Sequence, residues 1–126
     1  MEEERLRWGM LLDILAQMSD LEEQLVAQVD EPSIFIPDDL LMSWSETFRG
    51  GHGLTRLGVA PHMLAVLLDF DIHLDDLLEY LPDQADNPID YIRHDEVWGA
   101  VREMADWTLT RIAEMSMPEH PMQSPN

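Results

Sequence analysis

The 126-residue chain carries 26 acidic residues against seven basic ones, a formal net charge of −19, and it contains no cysteine. The absence of cysteine excludes disulfides, zinc–thiolate sites, iron–sulfur clusters and a cysteine nucleophile. All seven basic residues are arginine, and so few cations argue against direct binding to a nucleic-acid backbone. The hydrophobic fraction of 45% suffices for one domain with a buried core and no structural metal.

No stretch of the sequence approaches the roughly 18 consecutive apolar residues that a membrane-spanning helix needs. The first seven residues hold three glutamates and two arginines, an acidic start where a secretory signal peptide would be basic, and no apolar region follows them. The lack of cysteine fits a reducing compartment. We therefore expect a cytoplasmic protein that makes no contact with a membrane.

The N-terminal segment predicts one long helix over residues 2–29, because its apolar residues recur at steps of three and four. Pro32 marks the end of this helix. The polar residues Asp20, Gln24 and Gln28 fall off the apolar stripe and are expected at the surface. The stripe consists of Leu11, Ile14, Leu15, Met18, Leu21, Leu25, Val26 and Val29.

A short connector follows, in which residues 34–36 are expected to pack onto the core as an apolar plug. Proline and two aspartates then open a second helix over residues 38–48. The glycines of residues 50–53 are the clearest break in the chain. A third helix is predicted over residues 61–68 and a fourth over residues 73–81, with Asp71 as the N-cap of the fourth.

The segment around the start of the third helix resembles the middle of a helix-turn-helix motif. The resemblance covers residues 54–68, with Gly58 in the turn and Pro61 at the start of the second helix. It implies positive φ at Gly58 and packing of Val59 between the helices. Residues 61–69 contain no Arg, Lys, Asn or Gln, the side chains that read base edges, so we expect a helical hairpin without DNA binding.

The C-terminal helix is predicted over residues 88–115, with Asn87 as its N-cap and Trp98 and Trp107 on the flanks of its apolar stripe. The sequence thus predicts an all-α, single-domain bundle of four to five helices. Long N- and C-terminal helices enclose short central ones in this bundle. The predicted domain covers residues 1–116, and the proline-rich residues 117–126 are expected to be a disordered tail.

The distribution of charge gives the main functional hypothesis. No arginine or lysine lies between positions 61 and 90, where carboxylates are concentrated. Such crowding lowers stability by mutual repulsion, so we expect it to serve binding to a basic protein surface. The hypothesis is an adaptor or inhibitor module without catalytic activity or cofactor, in its sharpest form a mimic of DNA phosphates. The predicted partner-binding residues are Asp69, Asp71, Asp75, Asp76, Glu79, Asp83 and Asp86.

Three alternatives remain open at this level. Asp69 with His73, and Asp90 with His94, each have the spacing that places two side chains on one helix face, and two such pairs could together bind a divalent metal, with or without catalysis. The acidity could instead be a solvation trait of a salt-adapted source, which would leave the function unknown. Separately, the methionine- and tryptophan-bearing stripes of the long helices could form a homodimer.

The loop of residues 49–56 is locally basic and rich in glycine, in contrast to the rest of the chain. Its backbone amides could hold a small anion. It matches neither the P-loop nor the dinucleotide-binding fingerprint. The alternative is a flexible connection between helices without a ligand.

Overall fold

The computed structural model describes residues 2–116, which form six α-helices and no strand. They are α1 (Glu2–Ser19), α2 (Leu21–Asp30), α3 (Ile36–Phe48), α4 (Pro61–Leu77), α5 (Pro88–His94) and α6 (Glu96–Ser116). Short 3₁₀ turns occupy Arg49–Gly51, Leu54–Leu57 and Leu78–Tyr80. Within the described part of the chain, no helix combines the length and apolarity needed to cross a membrane. The predicted all-α class is confirmed, although there are six helices where four to five were expected; the predicted tail lies outside the described residues.

The predicted long N-terminal helix is divided at Asp20. This residue leaves the helical region, with φ −109° and ψ 99°, and its carboxylate accepts a hydrogen bond from the backbone N–H of Glu23 at 3.0 Å. An aspartate in this geometry is an N-cap, which satisfies a backbone donor that the first turn of a helix would otherwise leave unpaired. α1 therefore ends at Ser19, and α2 begins as a separate helix.

The division changes which face of α2 is buried. The predicted stripe is correct as far as Met18, but Val26 and Val29 are 58% and 67% exposed. Gln24 and Gln28, which were expected at the surface, are 0% and 3% exposed. A helix that restarts after a cap does not keep the rotational phase of the preceding helix, so a stripe extrapolated through the break assigns the wrong face.

The predicted C-terminal helix is also divided, at Asp95. The Asp95 carboxylate accepts a hydrogen bond from the backbone N–H of Trp98 at 2.9 Å and so caps α6. Because α6 starts anew at this cap, its rotational orientation buries Trp98 completely, although the sequence predicted that Trp98 would lie at the flank of the apolar stripe. Its indole N–H donates to the side-chain oxygen of Gln24 at 3.0 Å, which joins α6 to α2. Trp107 does lie at the edge of the stripe and is half-exposed.

The predicted third and fourth helices are a single helix, α4, which continues through Asp71. The N-cap predicted at Asp71 is therefore wrong, because the backbone stays helical there. Val66, Leu67, Phe70 and Leu74 form the buried face of α4. The opposite face is exposed over more than three turns, which is a longer continuous surface than two short helices would present.

The turn before α4 agrees with the helix-turn-helix resemblance in its backbone. Gly58 has φ +86°, a conformation that residues with a Cβ rarely adopt. The backbone N–H of Val59 donates to the carbonyl of Leu54, and both side chains are buried. The predicted turn is confirmed, and it sets the direction in which α4 leaves the preceding segment.

The core is organised by the long helices. α1 packs against both α3 and α6, and α4 packs on α6. In this core the indole of Trp44 stacks on Phe48 at 4.8 Å between ring centroids and meets Phe70 edge-on at 5.0 Å. Because the apolar faces of α1 and α6 meet inside one chain, a homodimer through these helices would have to use their outer surfaces. That dimer stays a prediction.

Candidate functional site

A groove of about 510 Å³ runs along the surface between α4 and α6. α4 contributes Asp69, Phe70 and His73, and α6 contributes Ala100, Glu103, Met104, Trp107 and Thr108. Phe70 and Thr108 are buried, whereas Asp69, Glu103 and Trp107 are exposed. The groove therefore combines an apolar interior with carboxylates on both of its sides.

The spacing of residues on each helix explains this arrangement. Asp69 and His73 are four residues apart on α4, and Glu103 and Trp107 are four apart on α6, so each pair lies on one helix face. Trp107 is 51% exposed, and the Arg111 guanidinium lies 5.1 Å from the centre of its ring. This contact is a cation–π interaction, which shows that the ring is accessible to a cation.

The carboxylates predicted on α4 lie in two rows along its outer surface. With about 3.6 residues per turn, Asp69 and Asp76 share one row and Asp75 lies in the second. Glu79 extends the second row from the 3₁₀ turn Leu78–Tyr80, which follows α4 directly. All four residues are exposed. Ile72, which is 59% exposed, lies between the rows and adds an apolar side chain to the acidic surface. We call the surface formed by these five residues the acidic face.

Asp71 does not belong to the acidic face, although the sequence predicted that it would. Its carboxylate accepts a hydrogen bond from the indole N–H of Trp44 at 2.9 Å. Trp44 is almost completely buried, and its indole N–H makes no other hydrogen bond with a described residue. Asp71 therefore connects α4 to α3, and its role in partner binding stays a prediction.

Replacing Asp71 by alanine is expected to lower the free energy of unfolding by about 2 kcal/mol, because the indole N–H of Trp44 would lose its charged acceptor. Chemical denaturation followed by tryptophan fluorescence measures the change. The matched control is Asp75→Ala on the same helix, which is expected to change stability by less than about 0.5 kcal/mol because that side chain is exposed. Equal effects of the two substitutions would contradict a structural role for Asp71.

The two remaining predicted carboxylates, Asp83 and Asp86, are exposed in the loop between α4 and α5. Burial, and then the charges of Asp83 and Asp39, raise the pKa of the Asp38 carboxyl above its usual range. Asp83 thus acts electrostatically on the first turn of α3. Asp86 lines a separate depression together with Asp90. Both residues add to the acidic character of the molecule but do not line the α4–α6 groove.

The two aspartate–histidine pairs form as the spacing predicts, but they do not meet. Asp69 and His73 are 3.6 Å apart on α4, and Asp90 and His94 are 3.8 Å apart on α5. The pairs line different depressions. Among the residues whose side chains the structure describes, no cluster of three or more His, Asp or Glu has an arrangement that could hold a metal ion. The four-residue metal site considered from the sequence is therefore not assembled.

Glu103 and Trp107 are site residues that the sequence hypothesis did not include. Both follow from the α6 apolar stripe, because each lies immediately beside Met104 or Thr108 and so falls at the edge of the buried face. The apolar stripe places Glu103 and Trp107 at the edge of the buried face of α6, but it does not show which helix they face. Comparison with known proteins adds no further residue: no family model, curated protein or solved structure matches the chain.

Proposed function

We propose that this protein is a small acidic binding module, an adaptor or inhibitor, that docks a basic amphipathic segment of another protein in the α4–α6 groove. The observation that carries the proposal is the half-exposed indole of Trp107 beside the carboxylates of Asp69 and Glu103. An apolar side chain of the partner would cover Trp107, and Lys or Arg side chains would pair with the carboxylates. The proposal requires no catalysis and no cofactor, and it includes a cytoplasmic location.

Charge complementarity supports a basic partner. α4 carries no basic side chain other than its histidines, and the acidic face continues the row of carboxylates beyond the groove. A surface with one sign of charge accelerates encounter with an oppositely charged partner and disfavours acidic ones. The acidic face thus selects the partner, while the groove supplies the contact from which water is excluded.

The composition of the groove supports a compact contact. Tryptophan is enriched among the few interface residues that provide most of the binding energy. Arg111 already lies over the Trp107 ring, and a basic side chain of the partner could take a similar position. Met104, half-buried next to Trp107, is flexible enough to adapt to different apolar side chains.

Binding of a synthetic 18-residue amphipathic peptide made of Lys and Leu tests the proposal, with a Glu and Leu peptide as the negative probe. Trp107→Ala is expected to weaken binding of the basic peptide at least tenfold, because the indole is the main apolar contact. The exposed position of Trp107 means that this variant should fold normally, which circular dichroism checks. Affinity unchanged by Trp107→Ala would exclude the groove as the site.

A pair of matched charge variants separates a localised site from general acidity. The first variant combines Asp69→Asn, Asp76→Asn and Glu103→Gln; the second removes three other exposed carboxylates and combines Asp13→Asn, Glu22→Gln and Glu114→Gln. Only the first is expected to weaken peptide binding, by about tenfold and mainly at low salt, since exposed charges are screened over about 10 Å at 0.1 M salt. Equal weakening by both variants would mean that net charge alone acts, as a solvation trait would predict.

One further measurement tests whether this protein mimics DNA. Proteins captured from lysate of the native host by the wild type and lost with the Trp107→Ala variant would be identified by mass spectrometry. If they bind nucleic acid, competition with duplex DNA should displace this protein from them. A captured partner that binds DNA and this protein simultaneously would exclude mimicry.

A further inference from the structure

A second cleft, of about 520 Å³, lies between the first half of α1 and the loop that follows α3. In a chain with seven arginines, three line this one cleft, and none of its described lining residues is acidic. The cleft is unrelated to the α4–α6 groove and shares no lining residue with it. Its lining residues are Leu6, Arg7, Met10, Thr47, Arg49, His52, Gly53 and Arg56.

Arg7 forms the fixed base of the cleft. Its guanidinium donates hydrogen bonds to the backbone carbonyls of Thr47 at 2.8 Å, Phe48 at 2.6 Å and His52 at 2.5 Å. Three carbonyl acceptors hold the planar guanidinium in one orientation. The first two carbonyls belong to the last turn of α3, where a positive charge is favourable.

Arg56 brings a second guanidinium to the same part of the cleft. An Nη atom of Arg56 lies 3.8 Å, and one of Arg7 lies 3.2 Å, from the point where a Cβ on Gly53 would stand. The two guanidinium groups thus flank Gly53, where φ is +85° and a side chain would be strained. The Arg56 backbone N–H donates to the Gly53 carbonyl at 3.2 Å, but its guanidinium makes no hydrogen bond or ion pair with any described residue. The Arg56 guanidinium is therefore available to pair with an anion beside Arg7.

Arg49 adds a third guanidinium from a strained backbone position. It has φ +49° and ψ 46°, and it is the one described residue other than glycine with positive φ. Glycine is the usual residue at this place after a helix, since a Cβ is unfavourable there. A side chain kept in such a conformation is often part of a functional site.

We propose that this cleft binds a small organic oxyanion, a carboxylate or phosphate ester that carries an apolar group. Arg49 and Arg56 would pair with the oxyanion above the base formed by Arg7, since guanidinium groups match the geometry of carboxylate and phosphate oxygens. The apolar group would lie on Leu6 and Met10, which are 63% and 51% exposed. The proposal is independent of the α4–α6 groove, so each can fail without the other.

Titration of the ¹⁵N-labelled protein with phenyl phosphate, at constant ionic strength, tests the proposal by NMR. The amides of residues 49–56 are expected to shift in a saturable manner, and inorganic phosphate and phenol should each bind at least tenfold more weakly. Phenylacetate, a carboxylate of similar size, should compete for the same site and shift the same amides. Absence of saturable shifts in this loop, or equal binding of phenyl phosphate and inorganic phosphate, would overturn the proposal.

Two variants localise the binding. Arg56→Gln is expected to weaken phenyl phosphate binding at least tenfold without unfolding the protein, because the Arg56 guanidinium has no described partner to lose. Arg93→Gln on α5, also exposed, removes the same charge elsewhere and should leave binding within twofold. Equal weakening by both variants would show that the loop responds only to net charge, which would exclude a site.

In the Arg49→Gly variant, thermal stability and phenyl phosphate binding are expected to change in opposite directions. Glycine relieves the unfavourable backbone conformation, so the Tm is expected to stay the same or rise while phenyl phosphate binding weakens. That combination is what a residue retained for a ligand would produce. A lower Tm with unchanged binding would make Arg49 a structural residue and remove it from the site.

Discussion

Replacing Gln24 by leucine is expected to lower the free energy of unfolding by about 3 kcal/mol, despite the similar size of the two side chains. The Gln24 amide nitrogen donates to the carbonyls of Gln17 and Met18 at 2.8 and 2.6 Å, and its oxygen accepts from Trp98. Leucine would leave those two carbonyls and the buried indole N–H without these partners. An unsatisfied buried polar group costs about 1–3 kcal/mol, so the polar loss should exceed any gain from apolar burial.

Urea denaturation of Gln24→Leu, Trp98→Phe and the double variant measures this network. Trp98→Phe removes the indole donor while retaining an aromatic ring, and we expect it to destabilise less than alanine would. The effects of the two substitutions should be less than additive, by about 1 kcal/mol, because each removes the same hydrogen bond. Additive effects would show that the Gln24–Trp98 hydrogen bond contributes nothing to stability.

Replacing Arg7 by methionine is the second change for which we expect a large effect, a loss of about 3 kcal/mol. The substitution keeps most of the apolar length of the side chain but removes the three hydrogen bonds to the carbonyls of Thr47, Phe48 and His52. Hydrogen bonds from a charged donor are stronger than neutral ones, and these satisfy the end of α3. The loop of residues 49–53 should become less protected as a result.

Thermal unfolding and hydrogen exchange of the loop amides test this expectation. Arg7→Lys is an informative control, since it keeps the charge but cannot present a planar fork to several carbonyls, and it should recover less than half of the loss. Arg56→Met in the same cleft should change stability by less than about 0.5 kcal/mol, because its side chain is exposed. Full recovery by Arg7→Lys would mean that charge alone, and not hydrogen-bond geometry, holds the loop.

The candidate site illustrates what charge along a sequence can predict. The concentration of carboxylates in the segment of α4 was visible from residue order, and four of the seven predicted residues do share its outer surface. The sequence could not separate Asp71 from Asp75, because only the position of Trp44 on α3 distinguishes them. Glu103 and Trp107 lie 24 and 28 residues after Glu79, the last residue of the acidic face, and they join it only because α6 packs on α4.

The sequence also could not place the boundaries between helices, because these depend on more than the local pattern. Periodic apolar residues continue across Asp20 and Asp95, so the pattern predicts unbroken helices there. An aspartate can remain in a helix or cap a new one, and the difference is about 1 kcal/mol, which packing easily outweighs. At Asp71 the opposite error arose: the aspartate looked like a cap, but the backbone stays helical there and the carboxylate accepts the indole N–H of Trp44 instead.

The amino-acid sequence by itself determined the all-α class, the helical segments, the glycine-dependent turns and the acidic segment, because each of these depends on local spacing or local backbone preference. Only the tertiary structure decided which polar side chains are buried, which carboxylates remain available and which arginines meet. Those outcomes depend on contacts between residues distant in the chain, such as Gln24 with Trp98 and Arg7 with the end of α3. Their energies are decided by the partner that packing supplies, and residue order alone does not specify that partner.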